Sequence, residues 1–135
     1  MRDRQCGQAI VELAIGMGAL MLLLAGLVAV SIITATELGL VAVAQEAAHV
    51  AALGATPADA ALQGQARGLQ VGQGYPLGNG SLGVQVDASQ FVQGGRVEAS
   101  ATYTLTSQDL FLFGLGNLHL TREHAEPVAL HRGLP

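Results

Sequence analysis

The most distinctive reactive group in this chain is the carboxylate of Glu12, which stands at the start of a long apolar run. Gly7 precedes it by five residues. Because glycine has no side chain, an extended segment that ends at Gly7 can lie close against the backbone of a protease. Cleavage there would leave an α-amino group on Gln8, with a reference pKa of about 7.7 to 8.0 that makes it largely cationic at pH 7. The new cation would stand four residues from Glu12.

Two explanations of Glu12 are open at this point. A carboxylate without a partner is disfavoured inside a membrane, by a few kcal/mol at the bilayer centre, so a carboxylate placed there would need a cation. Alternatively, Glu12 is an ordinary carboxylate in the first turn of a helix, favoured by the helix dipole and wetted by the membrane interface.

The remaining reactive side chains do not form a catalytic or metal-binding pattern. The histidines are scattered along the chain at His49, His119, His124 and His131. His119 and His124 are five residues apart, so they would lie on opposite faces of a strand. No serine lies in a Gly-x-Ser-x-Gly motif, and the glycines that follow position 71 lack the flanking strand and helix of a phosphate-binding loop. We therefore expect no enzyme activity, no metal and no cofactor.

Composition excludes other classes of protein. Cys6 is the only cysteine, so no intrachain disulfide can form. A lipoprotein would need an apolar region before Cys6, but that segment is polar and the apolar run follows it. The net charge is -4 and lysine is absent, so the chain lacks the broad positive surface that nucleic acid requires. One small domain beside the apolar run accounts for the 135 residues.

The element that must position Glu12 is the apolar run itself, which has 24 uncharged residues from Leu13 to Thr36. A helix of that length spans roughly 36 Å, enough to cross a hydrocarbon core of about 30 Å with some tilt. A buried core helix is one alternative, but the small remainder could hardly surround a helix that is apolar on every side. A secretory signal is the other, and its apolar region of about 7 to 15 residues is shorter than this run.

Charges on the two sides of the run predict its orientation. Arg2 and Arg4 outnumber Asp3 before it, whereas the segment from Glu37 onward carries eight carboxylates and four arginines. Basic residues beside a spanning segment tend to stay cytoplasmic. We therefore predict a single-pass protein of the inner (cytoplasmic) membrane, with its N-terminus in the cytoplasm and its C-terminal domain outside.

The chain beyond the run predicts an α+β fold. The long helix should extend from about Gln8 to Leu53 and stop at Gly54, so that residues 8–54 form the transmembrane and juxtamembrane helix and residues 55–135 a small extracytoplasmic domain. Thr56 and the proline after it predict the cap of a second, short helix that ends near Leu69. The glycine-rich stretch that follows should be mostly loop.

Alternating apolar residues predict a three- to four-stranded antiparallel sheet packed beside the outer half of the long helix. The expected inner faces of the first two strands are Leu82, Val84 and Val86, and Val97, Ala99, Ala101, Tyr103 and Leu105. Gly94-Gly95 is the expected turn between them. A third strand is expected over Leu118–Leu130, ended or placed at an edge by Pro127.

One concentrated apolar cluster lies outside the run, at residues 110–115, with the sequence Leu-Phe-Leu-Phe-Gly-Leu. Such a cluster belongs either to the core or to a loop that faces a partner, and both explanations remain open.

The residues around the expected cut carry a family resemblance. A glycine followed by an apolar helix with glutamate as its fifth residue resembles the type IV prepilin processing motif. The sequence Gly-Gln-Ala-Ile-Val-Glu-Leu-Ala at residues 7–14 resembles the start of TadE-like proteins, which are minor pseudopilins of the tight-adherence (Tad, or Flp) pilus machinery. The alanine-rich residues 45–52 are similar to the family's juxtamembrane helix, and residues 118–126 to its closing strand. The resemblance weakens over the glycine-rich middle.

The resemblance implies a function in assembly. A prepilin peptidase would remove the leader, residues 1–7, between Gly7 and Gln8, and Glu12 would meet the N-terminal ammonium of a neighbouring subunit. The other implied partners are pilins or pseudopilins, the inner-membrane pilus assembly platform and membrane lipid. The implied function is that of a minor pseudopilin in the assembly or initiation of a Tad/Flp-type pilus, which supports adhesion or secretion. Whether the protein stays in the membrane or enters the filament is left open.

Small residues in the run offer faces for contact with such helices, because they let two backbones approach closely. The two candidate faces are Ala14-x-x-x-Gly18 and Ala25-x-x-x-Ala29. A second hypothesis for the whole chain is a membrane-anchored periplasmic binding module that is never processed.

Overall fold

The computed structural model describes residues 2–75, 77, 81–106, 109 and 116–129, with the backbone alone for residues 2–6. The elements in chain order are α1 (Arg2–Ala52), α2 (Pro57–Gly72), β1 (Leu82–Asp87), β2 (Arg96–Leu105) and β3 (Leu118–Pro127). A long apolar N-terminal helix, a short second helix and a three-stranded antiparallel sheet confirm the predicted α+β fold. The apolar cluster at residues 110–115 lies outside the described residues.

Helix α1 begins at Arg2, six residues before the predicted start at Gln8. Residues 2–6 contain no proline, and a glycine such as Gly7 inside a helix costs only about 1 kcal/mol relative to alanine, so nothing in this segment prevents helix formation. At the other end, α1 stops at Ala52, close to the predicted stop at Gly54. A side chain at Gly54 would place its Cβ 2.6 Å from the Cα of Ala60, so glycine is needed there for the close approach of α2.

Helix α2 has the predicted cap but is longer than predicted. The Thr56 hydroxyl accepts a hydrogen bond from the backbone N–H of Asp59 at 3.2 Å, and proline occupies the first turn. The helix continues past Leu69 to Gly72 because its glycines form a packing face. The residues buried on that face are spaced by four, namely Ala60, Gly64, Gly68 and Gly72. The absence of side chains lets α2 lie directly on α1 at Gly64 and on β1 at Gly72, and these contacts stabilise a helix that glycine alone would weaken.

The sheet has the strand order β1-β2-β3, with both pairs antiparallel. The predicted inner face of β2 is confirmed, since Val97, Ala99, Ala101, Tyr103 and Leu105 are all buried. The predicted turn is also confirmed. Gly94 has a φ of +76°, a conformation that favours glycine, and the Gly95 N–H donates to the carbonyl of Val92 at 2.7 Å.

Strand β3 is an edge strand and ends at Pro127, short of the predicted end at Leu130. Proline has no N–H to donate to a neighbouring strand, which accounts for the end of the pairing there. Val128 and Ala129 lie outside the strand, and residue 130 lies outside the described part of the chain.

The core lies between the sheet and the outer half of α1. Its largest cluster joins Leu40, Val43 and Ala44 of the helix to inner-face residues of the strands. A second cluster near the end of α1 joins Ala51 to Val97 and to the first turns of α2. The first half of α1 is outside this core, because every residue from Gly7 to Leu24 is exposed.

Candidate functional site

The predicted cleavage and pairing residues all lie on the uncovered half of α1. Gly7 and Gln8 are within the continuous helix, and a Cβ at Gly7 would have no atom of the described chain within 4 Å. Glu12 is exposed, and the described residues form no salt bridge to it. Gln8 and Glu12 are four residues apart, so they occupy the same face of the helix, about 6 Å apart along its axis.

The surroundings of Glu12 are apolar and equally uncovered. Ile10, Val11 and Leu13 are 67%, 58% and 65% exposed. The structure therefore presents one carboxylate on an otherwise uncharged helix surface, with no group of the same chain to neutralise it among the residues described. Burial of one such large apolar side chain is worth about 1.5 to 3 kcal/mol, so this surface favours contact with lipid or with another helix.

The two predicted helix-packing faces have different environments. Ala14 and Gly18 are exposed, and a Cβ at Gly18 would meet nothing within 4 Å. Ala25 is half-buried, and Ala29 is only 3% exposed because it joins the core cluster of its own chain. Of the two faces, the one at Ala14 and Gly18 is therefore open to a partner helix in this structure, whereas Ala29 is covered by its own chain.

Three surface ion pairs join α1 to the rest of the domain. Glu37 pairs with Arg122 of β3 at 2.6 Å, and His49 pairs with Glu126 of the same strand at 3.0 Å. A third pair of 3.3 Å joins Glu46 of α1 to Arg67 of α2. Each pair joins residues distant in the sequence, so none of these partners was identified from the sequence.

The pair between His49 and Glu126 raises the pKa of His49. The hydrogen bond to the Glu126 carboxylate, with a smaller contribution from its charge, raises the pKa of His49 above its ordinary value of 6.5. Because His49 is exposed, this is a weak surface interaction, typically worth about 0.2 to 1 kcal/mol.

One pocket in the described part of the chain lies at the end of the domain furthest from Gly7. It has a volume of about 460 Å³ and is formed where α1 ends, α2 begins and the β1–β2 loop passes over them. Its apolar lining includes Leu53, Pro57, Phe91, Val92 and Val128. Thr56 and Gln93 are its polar side chains, and no lining residue is titratable, so the pocket offers no acid, base or nucleophilic pair.

The histidines do not converge. His119 contacts the Thr104 hydroxyl at 2.9 Å on the outer face of the sheet, whereas His124 pairs across from the buried Ala99 on the inner face, so the predicted opposite orientation is confirmed. Among residues 2–75, 77, 81–106, 109 and 116–129, no three side chains of histidine, cysteine, aspartate or glutamate are close enough to hold a metal ion.

The structure thus presents two surfaces with different properties. One is an apolar helix of 18 exposed residues with a single carboxylate, and the other is an apolar pocket without titratable groups. The segment Gly7–Ala52 includes a stretch long and apolar enough to cross a membrane. Comparison of the chain with protein-family models, with curated proteins and with solved structures found no match.

Proposed function

We propose that this chain is a minor pseudopilin that takes part in the assembly or initiation of a Tad/Flp-type pilus and so supports adhesion or secretion. One observation carries the proposal. The helix from Gly7 to Leu24 has no cover from the rest of the described chain, and it displays a single carboxylate, Glu12, on an apolar surface.

The uncovered helix needs an apolar environment. The part of the helix after Glu12, together with the uncharged turns that follow Leu24, is longer than the roughly 20 helical residues that a hydrocarbon core of about 30 Å holds, so it can cross a bilayer. The folded domain is attached at the other end, through the outer half of α1. This division into a membrane helix and an extracytoplasmic domain suits a subunit that is inserted first and assembled afterwards.

The carboxylate of Glu12 would favour association of the helix with a neighbouring subunit. Removal of residues 1–7 would create an ammonium group at Gln8, on the same face as Glu12. In a row of parallel helices, a neighbour displaced by about 6 Å along the helix axis would bring its ammonium level with this carboxylate. In low dielectric surroundings each charge would then neutralise the other, which favours assembly of processed subunits.

The open small residues offer a second contact on the opposite side of the helix, since Ala14 and Gly18 are two and six residues beyond Glu12, about 200° and 240° around the helix axis. Ala14 and Gly18 lie within two turns of Glu12, and no atom of the described chain occupies the space above Gly18. Close approach of a second helix at this face would bring backbone atoms into van der Waals contact, which is the main driving force for helix association in lipid.

Replacement of Glu12 tests the pairing. In a host with the pilus machinery, we expect a Glu12→Ala protein to be cleaved normally yet to be poorly recovered in the assembled complex, because the Gln8 ammonium of its neighbour has lost its partner. The measurement is the ratio of processed protein in the purified complex to processed protein in the membrane.

Glu98→Ala is the matched control, since it removes the same charge from an exposed position on β2. It should assemble like the unchanged protein. Normal assembly of the Glu12→Ala protein would show that Glu12 is only a helix-start carboxylate.

The apolar pocket favours one alternative function. A membrane-anchored periplasmic binding module that is never processed would use the pocket beside Leu53 and Phe91 to hold an apolar ligand. Such a protein would keep residues 1–7 in its mature form, which separates it from a pseudopilin.

A further inference from the structure

Two ion pairs show in which direction, and at which level, β3 lies along α1. Glu37 and His49 are twelve residues apart on the helix, about 18 Å, and their partners Arg122 and Glu126 are four residues apart on the strand, about 13 Å. Strand and helix therefore advance in the same direction, and the start of β3 is its end nearest to the uncovered half of α1.

The same spacing gives the level of Leu118 along α1. It precedes Arg122 by four residues, a further 13 Å or so, which corresponds to about nine helical residues below Glu37. Leu118 should therefore lie level with residue 28 of α1. The burial of Ala29 is consistent with this level, since it shows that the chain covers α1 as far down as residue 29.

This level lies inside the uncharged run. Charges bound the run at Glu12 and Glu37. A hydrocarbon core of about 30 Å holds about 20 helical residues, so a core that begins immediately after Glu12 ends near Ile32. The end of the sheet at Leu118 would then lie within about one helical turn of that boundary.

The exposed groups at this end suit such a position. Leu118 is 37% exposed at the start of β3. The hydroxyls of Ser31 and Thr34 on the adjoining turns of α1 each donate to a helix carbonyl at 2.9 Å, so neither requires water.

The carboxylate of Asp109 limits how deeply this end of the sheet can enter the membrane. The Asp109 carboxylate accepts hydrogen bonds from the N–H and hydroxyl of Thr106, and the hydroxyl bond above all holds the pKa of Asp109 below its usual range. Asp109 therefore stays charged, and it must remain among hydrated headgroups rather than in hydrocarbon.

From these positions we propose that the membrane-proximal end of the sheet, where β2 ends at Leu105 and β3 begins at Leu118, lies in the outer headgroup and acyl boundary of the bilayer as a second lipid contact beside α1. The domain is then seated in the membrane surface rather than held above it. This inference rests on the membrane insertion of α1 in the proposed function, and it does not depend on cleavage or pilus assembly.

Tryptophan fluorescence tests the proposal, because the chain contains no tryptophan of its own. The full-length variants Leu118→Trp, Val92→Trp and Leu22→Trp would be reconstituted in vesicles of phosphatidylglycerol and phosphatidylcholine whose acyl chains carry bromine. Leu22 is 77% exposed in the middle of the apolar run, and Val92 is 65% exposed at the far end of the domain.

We expect Leu118→Trp to lose most of its fluorescence to bromine placed near the headgroups and to emit at shorter wavelength than Val92→Trp, which should not be quenched. Leu22→Trp should be quenched most by bromine near the bilayer centre. Quenching of Leu22→Trp with none of Leu118→Trp would overturn the proposed contact and leave the membrane helix intact. Absence of quenching in all three would overturn both this inference and the membrane insertion on which the proposed function rests.

A second variant tests the same position in case the tryptophan at position 118 disturbs folding. Leu118→Cys, made together with Cys6→Ser and labelled with a nitroxide, adds no bulk to the folded strand before labelling. Its relaxation should be enhanced more by oxygen, which concentrates in lipid, than by a water-soluble nickel complex. The opposite preference would place Leu118 in water and contradict the proposal.

Discussion

The carboxylates of Glu12 and Glu126 have opposite surroundings in the same chain. Glu126 has a histidine partner within 3.0 Å at the surface of the domain, whereas Glu12 has no partner among the described residues. A satisfied surface pair contributes little to stability, but a charge on an apolar helix determines which neighbours that helix accepts. The proposed function therefore depends on Glu12.

The His49 pair makes a pH-dependent prediction. Because Glu126 raises the pKa of His49, the stabilisation is fully present below the unfolded-state pKa of about 6.5 and is lost as the pH rises through the higher folded-state pKa. We expect Glu126→Gln to return the pKa of His49 toward 6.5 and to remove most of this pH dependence.

An NMR titration of the His49 ring in the detergent-solubilised full chain measures the effect. Glu123→Gln is the control, because Glu123 pairs with Ser100 on the outer face of the sheet and should leave the titration of His49 unchanged. An unchanged pKa in the Glu126→Gln protein would contradict the pairing.

At the residue scale, sequence periodicity predicted orientation but not contacts. The odd spacing of His119 and His124 placed them on opposite faces of β3, as observed. The pair between His49 and Glu126 joins residues 77 positions apart, and its geometry depends on how the sheet lies on the helix. No local pattern carries that information.

Among the elements, α2 shows where propensity and packing disagree. Its start followed from Thr56 and Pro57, since the cap and the fixed proline φ act locally. Its end was predicted three residues too early because Gly72 was assigned to the glycine-rich loop, although it continues the series of Gly64 and Gly68. Their spacing of four, in register with Ala60, is the feature that could have identified a packing face.

This packing makes Gly64 the sensitive position of α2. A Cβ there would lie 2.8 Å from the backbone oxygen of Ala47, which cannot move aside as a flexible side chain would. We expect Gly64→Ala to destabilise the domain by about 1 to 3 kcal/mol through overpacking, although alanine favours a helix by about 1 kcal/mol.

Denaturant unfolding of the detergent-solubilised protein, followed by circular dichroism, measures this change. Gln63→Ala is the matched control, since Gln63 is exposed and its replacement improves helix propensity without entering the contact. A Gly64→Ala protein that is as stable as this control would refute the close approach of the two helices.

The strands were predicted more completely than the helices. Alternation over residues 82–86 and 97–105 identified both inner faces and their antiparallel pairing, because a strand with one buried face fixes its own register. The third strand was placed correctly at its start but extended past Pro127.

For the whole molecule, the new information is how far the domain reaches along α1. Hydropathy predicted a span over Leu13–Thr36, yet the chain itself begins to cover one face of the helix at Ala25 and buries Ala29, while Val30 stays exposed. A sequence cannot distinguish an apolar residue that faces lipid from one that faces its own sheet, since both environments select the same side chains. The free helix is consequently shorter than the apolar run.

We propose that this free helix, once residues 1–7 are removed, is the surface through which the subunit assembles with its neighbours. The cut at Gly7 is the step on which the rest depends, because without it there is no ammonium group at Gln8 to meet Glu12. An anchored protein and an assembling one differ by this single bond.

Intact-mass measurement of the protein recovered from membranes tests the cut most directly. In a host that expresses the prepilin peptidase, the account predicts a mass that lacks Met1 to Gly7, and in the same host without the peptidase, the mass of the full 135 residues. Retention of Met1 to Gly7 in the presence of active peptidase would contradict the pseudopilin function.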